Sequence, residues 1–269
     1  MNRFRNLQSV LIGATALVIT GAWVAPAGYT AAALPAASAA RGAVSQPATT
    51  VAADPKGPLT AATRTALDAF KSLVRPLSHP MALESAFKSY FAFKSAHPDQ
   101  VTKPLLYFVD YGLPSTTPRG YVFNMSTLKI VDGPFTVAHG RGSSTSQYGV
   151  PTKFSNSSGR GTTSLGLYLT KALYAFRGHD AGSTYNSIGM RLQGESRGFN
   201  DNAMARGVVA HGAPYVTPTR AGRSLGCPAM EPQRAQRLLP QLADGGMVFL
   251  FAPDANWMSN DPWVNASAN

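Results

Sequence analysis

Cysteine is nearly absent from this sequence: Cys227 is the only one in 269 residues. A single thiol cannot form an internal disulfide, so the fold does not depend on such a bridge. A lone cysteine is either an inert packing group or a reactive nucleophile, and the count alone leaves both interpretations open. Metal-ligand spacing is also missing, because one cysteine and five scattered histidines do not form a zinc pattern. The sequence therefore predicts no metal and no cofactor.

Long apolar runs are scarce as well, and the one present lies at the start of the chain. Arg3 and Arg5 precede an apolar stretch over residues 10–24, and Ala-x-Ala sites follow at 25–27 and 37–39. This layout is typical of a secretory signal peptide, predicted here over residues 1–39. The alternative is a membrane anchor, but about 15 apolar residues are fewer than the roughly 20 that a bilayer span needs. We expect export to the bacterial periplasm or cell-wall space, with no membrane span after cleavage.

Acidic residues are few, with 13 Asp and Glu against 24 Lys and Arg, which gives a formal charge of +11. A basic protein can bind nucleic acid, but predicted export argues against that partner. Anionic polymers of the cell envelope are the partner that this charge favours, through attraction that salt would weaken.

The chain after residue 39 divides into four predicted parts. Residues 40–60 are rich in Ala, Pro, Thr and Gly and predict a disordered linker. Residues 61–98 predict a helical segment, with one helix over 61–74, capped by Thr60, and a second over 81–96. A catalytic domain is predicted over 104–253, and a tail over 254–269.

From residue 104 the apolar pattern changes to short runs separated by turn clusters, which predicts strands. They are expected at 104–111, 120–125, 128–140, 161–170, 188–194, 205–212 and 245–253. A short helix is predicted over 232–245, with Pro near its first turn and Gly past its end. The fold class is α+β, mainly β. The tetrapeptide VAHG occurs at 137–140 and again at 209–212, which is too little to establish a repeat.

Chemistry is concentrated between His211 and Cys227, in the stretch HGAPYVTPTRAGRSLGC. His211 stands where a predicted buried strand meets Gly212, a place where a sheet fixes a side chain that a loop leaves accessible. Gly226 permits backbone geometry that other residues avoid, and N–H groups there are candidates for an oxyanion hole. A thiol close to an imidazolium or a helix N-terminus gains nucleophilicity.

The pair HGAPY and GRSLGCPAM resembles the active-site signature of the L,D-transpeptidase (YkuD-like) family, in which a His-Gly or His-Ser precedes Ser-x-Gly-Cys. The resemblance extends upstream through FTVAHGRGSS (135–144), FSNSSGRGTTSLGLYLT (154–170) and MRLQGESRGFNDNAMARGVVAHGA (190–213). These segments are similar to the murein L,D-transpeptidase catalytic-domain branch, over residues 105–252. The combined match is much more specific than S-x-G-C alone.

The resemblance implies a fold, a reaction and a set of roles. The fold is an L,D-transpeptidase-type β-sandwich or mixed sheet with a helical lead-in. Cys227 is the nucleophile and His211 the acid and base, oriented by a main-chain carbonyl. Gly226 and Cys227 supply oxyanion N–H groups, and Ser224 shapes the loop. The expected substrate contacts are Arg223, Tyr215 and His139, each with a packing role as the alternative.

The sequence departs from the common family pattern at three positions. Many members have a second histidine between the Ser and the Gly, where this chain has Leu225. Pro228 and Ala229 follow the cysteine in place of an apolar residue and an Arg or Asn. These changes leave His211 as the only histidine of the signature. Asp201 is a weak candidate for a side chain that orients the His211 imidazole.

Three functions remain open at this point. The first is a cysteine L,D-transpeptidase, which releases D-Ala from a peptidoglycan stem tetrapeptide and forms a 3→3 cross-link; carbapenems would then be inhibitors. The second is a carboxypeptidase that uses the same nucleophile with water as acceptor. The third is a wall-binding protein without catalysis.

Overall fold

The computed structural model describes residues 58–266 of the chain. The predicted signal peptide and nearly all of the predicted linker lie outside these residues. No helix within the described part is long and apolar enough to cross a membrane.

The described residues contain twelve strands and four helices, joined by turns and loops. The strands are β1 (Leu105–Asp110), β2 (Gly120–Asn124), β3 (Lys129–Phe135), β4 (His139–Gly140), β5 (Gly166–Asp180), β6 (Ser183–Gly194), β7 (Val209–Gly212), β8 (Val216–Thr217), β9 (Arg220–Ala221), β10 (Arg223–Ser224), β11 (Ala229–Met230) and β12 (Met247–Phe251). The helices are α1 (Pro58–Phe70), α2 (Ala82–Ala96), α3 (Pro232–Leu242) and α4 (Ala255–Asn260).

Eight of the strands form one mixed sheet in the order β11-β7-β6-β5-β12-β1-β2-β3. The β11–β7 and β1–β12 pairs are parallel, and the other neighbours are antiparallel. Two small sheets, β10 with β4 and β8 with β9, lie outside it. This architecture confirms the predicted fold class, because strands dominate and the helices are few.

The central strands β1 and β12 are buried along their whole length, which explains why their sequences are continuous apolar runs. Helices α1 and α2 cover one part of this sheet through aromatic contacts. The Phe70 ring lies 4.6 Å from that of Phe123, and Phe87 packs edge-on against Phe123 at 5.4 Å. The two N-terminal helices therefore share the hydrophobic core of the sheet.

Several predicted boundaries are corrected by the structure. Helix α1 begins at Pro58, so Thr60 lies inside the helix and does not cap it. It ends at Phe70, because the Leu73 N–H bonds to Phe70 O and tightens the last turn; Leu73 is exposed. The predicted tail contains α4, whose Trp257 is buried and donates to Asp261 Oδ2 at 2.7 Å. The second helix is confirmed almost residue for residue.

The largest correction concerns β5 and β6, which the sequence predicts to be separate short strands. They form one long antiparallel ribbon that continues to the Asp180–Ser183 pair. Ala181 and Gly182 both have positive φ, +46° and +82°, as a two-residue hairpin turn requires. The usual signal for such a turn is Asn-Gly or Asp-Gly, and Ala-Gly does not provide it. One wall of the cleft described below is built from this ribbon.

Candidate active site

Three of the four residues predicted to be catalytic meet in one cleft of about 790 Å³ at the β11–β7 side of the sheet. His211, Cys227 and Ser224 line it, together with two of the three predicted substrate contacts, Arg223 and Tyr215. A cleft of this size accommodates a short peptide.

His211 is held by strand pairing on both sides of β7. It pairs with Gly189 of β6 and with Ala229 of β11, and its N–H donates to Pro228 O at 3.4 Å. Because Pro228 directly follows Cys227, the sheet brings the backbone of the predicted nucleophile beside that of the predicted base. The pairing of β7 with β11 therefore explains why His211 and Cys227, which are 16 positions apart, lie in the same cleft.

The imidazole of His211 is fixed by two further contacts. Its Nδ1 lies 3.1 Å from the Gly212 carbonyl oxygen, and its ring stacks on Phe176 with 4.2 Å between centroids. A carbonyl only accepts hydrogen bonds, so Nδ1 carries the proton and Nε2 has the free lone pair. Burial lowers the pKa of His211 to about 4, and the bond to Gly212 opposes that shift. The imidazole is therefore neutral at pH 7 and can accept a proton.

Cys227 is partly exposed within the cleft, with its Sγ 4.0 Å from Gly207 O. Burial raises the pKa of the Cys227 thiol, while a backbone hydrogen bond from Val209 and the positive charge of Arg206 act in the opposite direction. The thiol is thus mainly protonated at neutral pH. Its reaction as a nucleophile requires a base.

Ser224 closes the turn that carries Cys227. Its hydroxyl donates to Cys227 O at 2.7 Å and accepts the Gly226 N–H at 3.1 Å. The serine therefore fixes the loop from both ends. The Gly226 N–H already has an acceptor in Ser224, which distinguishes it from the free oxyanion donor that the sequence analysis expected.

Gly226 has a φ of +123°, in a region that favours glycine, and a Cβ there would lie 2.6 Å from Thr162 O. Behind it, Gly140 approaches so closely that a Cβ on that residue would lie 2.9 Å from Gly226 Cα and would collide with Gly161 O. The backbone at Gly226, directly before Cys227, therefore packs closely against the segments around Gly140 and Thr162.

We expect Gly226→Ala to slow acylation of Cys227 by about 100-fold, because a displacement near 1 Å misaligns a reacting group by that factor. Backbone strain should also lower the stability by about 1–3 kcal/mol. Thermal unfolding and the rate of adduct formation with a carbapenem measure the two effects. Gly198→Ala is the matched control, since Gly198 has a φ of +83° with open space around it. Equal acylation rates for the two variants would contradict this role of Gly226.

The two VAHG tetrapeptides pair with strands on either side of Cys227. His139 of β4 pairs with Arg223 of β10, while His211 of β7 pairs with Ala229 of β11. The His139 side chain is fully buried, outside the lining of the cleft, and its Nδ1 lies 3.0 Å from Arg119 Nη2. Burial, with Arg119 and Arg223 nearby, lowers the pKa of His139 to about 3. The structure places this histidine behind the site.

The other predicted residues occupy different surroundings. Arg223 donates to Ser144 O at 3.1 Å at the edge of the cleft. The Tyr215 ring packs edge-on to Tyr185 of the ribbon, with 6.4 Å between centroids. Asp201 accepts a hydrogen bond from Asn156, and Gly212 O occupies the orienting position at His211 instead.

Two residues that the sequence analysis did not single out complete the site. Arg206 donates to Thr162 O at 2.7 Å, to Ser155 O at 2.9 Å and to Ser164 Oγ at 3.1 Å, so it ties the upstream loop to the cleft. Phe176 supplies the ring on which His211 stacks. The sequence signal for Arg206 was its place five residues before His211, while Phe176 comes from the hairpin that was not predicted.

Residues 76–251 match the family model described as the L,D-transpeptidase catalytic domain. This range begins before α2 and ends with β12. A search of curated proteins found no significant match.

Solved structures of similar proteins include an L,D-transpeptidase from Mycobacterium smegmatis, at 15% identity and a TM-score of 0.35, with 56% of this chain and 59% of that one covered. The L,D-transpeptidase 3 of Mycobacterium tuberculosis, with a faropenem-derived adduct, has 13% identity, a TM-score of 0.32 and coverages of 55% and 60%. An L,D-transpeptidase fragment from Xylanimonas cellulosilytica has 14% identity, a TM-score of 0.34 and coverages of 72% and 70%. The chain thus spans less than two thirds of the first two proteins.

Proposed function

Because the chain belongs to the L,D-transpeptidase catalytic domain family, we propose that it is a cysteine-dependent acyltransferase acting on peptidoglycan stem peptides. Cys227 is the nucleophile and His211 the general acid and base. The donor is a stem tetrapeptide that loses its terminal D-Ala, and the acceptor is an amine of a second stem.

The first half-reaction forms a thioester. The Cys227 sulfur attacks the carbonyl carbon of the third stem residue while the thiol proton moves to His211 Nε2. The tetrahedral intermediate then collapses, the carbon–nitrogen bond to D-Ala breaks, and the imidazolium returns its proton to the leaving amine. The acyl group stays on sulfur.

The second half-reaction transfers that acyl group. An acceptor amine attacks the thioester carbon, gives a proton to His211 Nε2, and forms an amide as the sulfur–carbon bond breaks. The sulfur regains a proton from the imidazolium, which restores the starting state. The amide is a 3→3 cross-link between two stems.

Charge on the intermediate's oxygen requires a hydrogen-bond donor in the cleft. Ser224 already accepts the Gly226 N–H. We therefore assign the oxyanion contact to the Cys227 N–H and give Gly226 and Ser224 the role of holding the turn that presents it.

One observation carries this proposal: the only thiol of the chain shares a cleft with a neutral imidazole whose Nδ1 is held by a carbonyl, so that Nε2 is available as a base. A structural cysteine and histidine have no need of a shared opening to solvent. Substrate in the cell wall also requires export, for which the signal peptide remains a prediction.

The test is product analysis with purified tetrapeptide muropeptides. We expect dimers that lack one D-Ala, identified by mass spectrometry, and a carbapenem adduct located on Cys227. Trimmed monomers without dimers would mean that water is the acceptor and that the enzyme is a carboxypeptidase. A folded protein that forms neither product nor adduct would contradict the catalytic proposal and favour a wall-binding role.

A further inference from the structure

The cleft carries positive charge without a matching negative charge. Four arginines line it, and none of its lining residues in the described chain is an aspartate or glutamate; the four are Arg141, Arg177, Arg206 and Arg223. Clefts lined by one sign of charge concentrate ligands of the opposite sign. This imbalance is local and adds to the basic character of the whole chain.

Two of these guanidinium groups are occupied by the fold. Arg206 donates to Thr162 O, Ser155 O and Ser164 Oγ, as described above, and Arg223 donates to Ser144 O. Both are partly buried. Their main role is to hold the loops that form the cleft.

The other two guanidinium groups are available to a ligand. Arg141 and Arg177 are exposed, and within residues 58–266 neither side chain donates to a protein acceptor. Their backbones are nevertheless held next to the residues that support Cys227 and His211: the Arg141 N–H bonds to Ser224 O at 2.8 Å, and Arg177 follows Phe176, on which His211 stacks. Each cation is therefore positioned at the rim of the catalytic cleft.

A free arginine side chain distinguishes a carboxylate from a carboxamide. Its planar fork forms two parallel charge-assisted hydrogen bonds with a carboxylate. A carboxamide has no charge and presents N–H donors toward the guanidinium on one side, so it loses both the attraction and one of the bonds. The group that these arginines fit is thus an unmodified carboxylate.

Asp180, at the end of β5, is an acidic residue near this rim. Burial is the main cause that raises the pKa of Tyr185 and of Tyr215, and the charge of Asp180 adds to both shifts. It lies outside the lining of the cleft, whereas Arg141 and Arg177 are part of that lining.

We infer that the cleft selects stem peptides by their free carboxylates, with Arg141 and Arg177 each binding one carboxylate and rejecting the corresponding carboxamide. The inference rests on the proposed function, because it names the substrate class of the same site. It states which chemical form of the stem peptide the cleft binds: the form with free carboxylates and not the form with carboxamides.

The test compares binding of two peptides to a Cys227→Ala background by calorimetry at low ionic strength. One is a stem tetrapeptide with free carboxylates, and the other is the same peptide with these groups converted to carboxamides. We expect the acid form to bind about 10- to 100-fold more tightly. Added salt should reduce that preference.

The double variant Arg141→Gln/Arg177→Gln should lower the preference below about threefold. Lys129→Gln/Arg197→Gln removes the same charge from exposed positions outside the cleft and should retain it. If the glutamine variant fails to fold, Arg141→Lys/Arg177→Lys keeps the charge without the fork and should show a reduced preference.

Equal binding of the two peptides, or a preference that survives both double substitutions in the cleft, would overturn the inference. Turnover by the wild-type enzyme separates this result from the fate of the proposed function. Equal conversion of both peptides to dimers leaves the transpeptidase proposal intact and removes the selectivity. Selective binding of the acid form without any turnover would support the selectivity and contradict the transpeptidase proposal.

Discussion

Cys227→Ala is expected to abolish acyl transfer, with a loss of at least about 10⁴-fold in turnover, because no other side chain can form the thioester. Cys227→Ser should also be severely impaired. A hydroxyl has a far higher pKa than a thiol, and the neutral imidazole that shares its cleft is a weak base for that proton. Dimer formation from tetrapeptide muropeptides, followed by mass spectrometry, measures both losses.

The control for this prediction is thermal stability, because Cys227 is partly exposed and alanine removes only one sulfur atom. The unfolding free energy of Cys227→Ala should stay within about 1 kcal/mol of wild type. Retention of dimer formation by the alanine variant would remove the nucleophile assignment altogether. A carbapenem should give no stable adduct with this variant, since the chain has no other cysteine.

The outline of the fold could be read from the sequence because burial leaves a direct trace in residue pattern. β1 and β12 lie at the centre of the sheet with every residue buried, and their apolar runs predict them within two residues. Between Thr170 and Ile188 the β5–β6 ribbon left no such trace, because this outer part is mostly exposed or half-buried and mixes Lys, Arg, His and Ser with aromatics. Its pairing is stabilised by the hairpin turn and by contacts across strands.

That His211 and Cys227 meet in one cleft could be predicted for a different reason: these residue types are rare in this chain and stand at a strand end and a glycine turn. The contacts that Phe176 and Arg206 make around His211 and Cys227 could not be predicted, because they join segments that are far apart in the sequence. Phe176 is 35 positions before His211 and meets it only because β5, β6 and β7 are neighbours in the sheet. Arg206 reaches three acceptors on one loop, a relation that depends on how residues 155–164 fold back.

His211→Ala is expected to slow acylation of Cys227 by about 10²- to 10⁴-fold, the usual contribution of a general base. The reason is the protonation state of the pair: burial lowers the pKa of His211 to about 4 and raises the pKa of the Cys227 thiol, so neither group is charged at pH 7. Attack then depends on proton transfer to Nε2. Added imidazole should restore part of the rate, because the substitution empties the space between Phe176 and Gly212. The rate of carbapenem adduct formation measures both the loss and the rescue.

The pH dependence of the wild-type enzyme tests the same assignment without a mutation. Since the folded-state pKa of His211 is lowered, the base is present at pH 7 and is lost only as pH falls through about 4. Acylation should therefore hold its rate down to about pH 5, well below the ordinary histidine pKa near 6.5. Unfolding favours protonation of the buried histidines, so stability also falls with pH below about 6.5, and circular dichroism at each pH separates lost structure from lost base. An acid limb centred near pH 6.5 in a fully folded enzyme would mean that His211 is solvated and not buried as a neutral base.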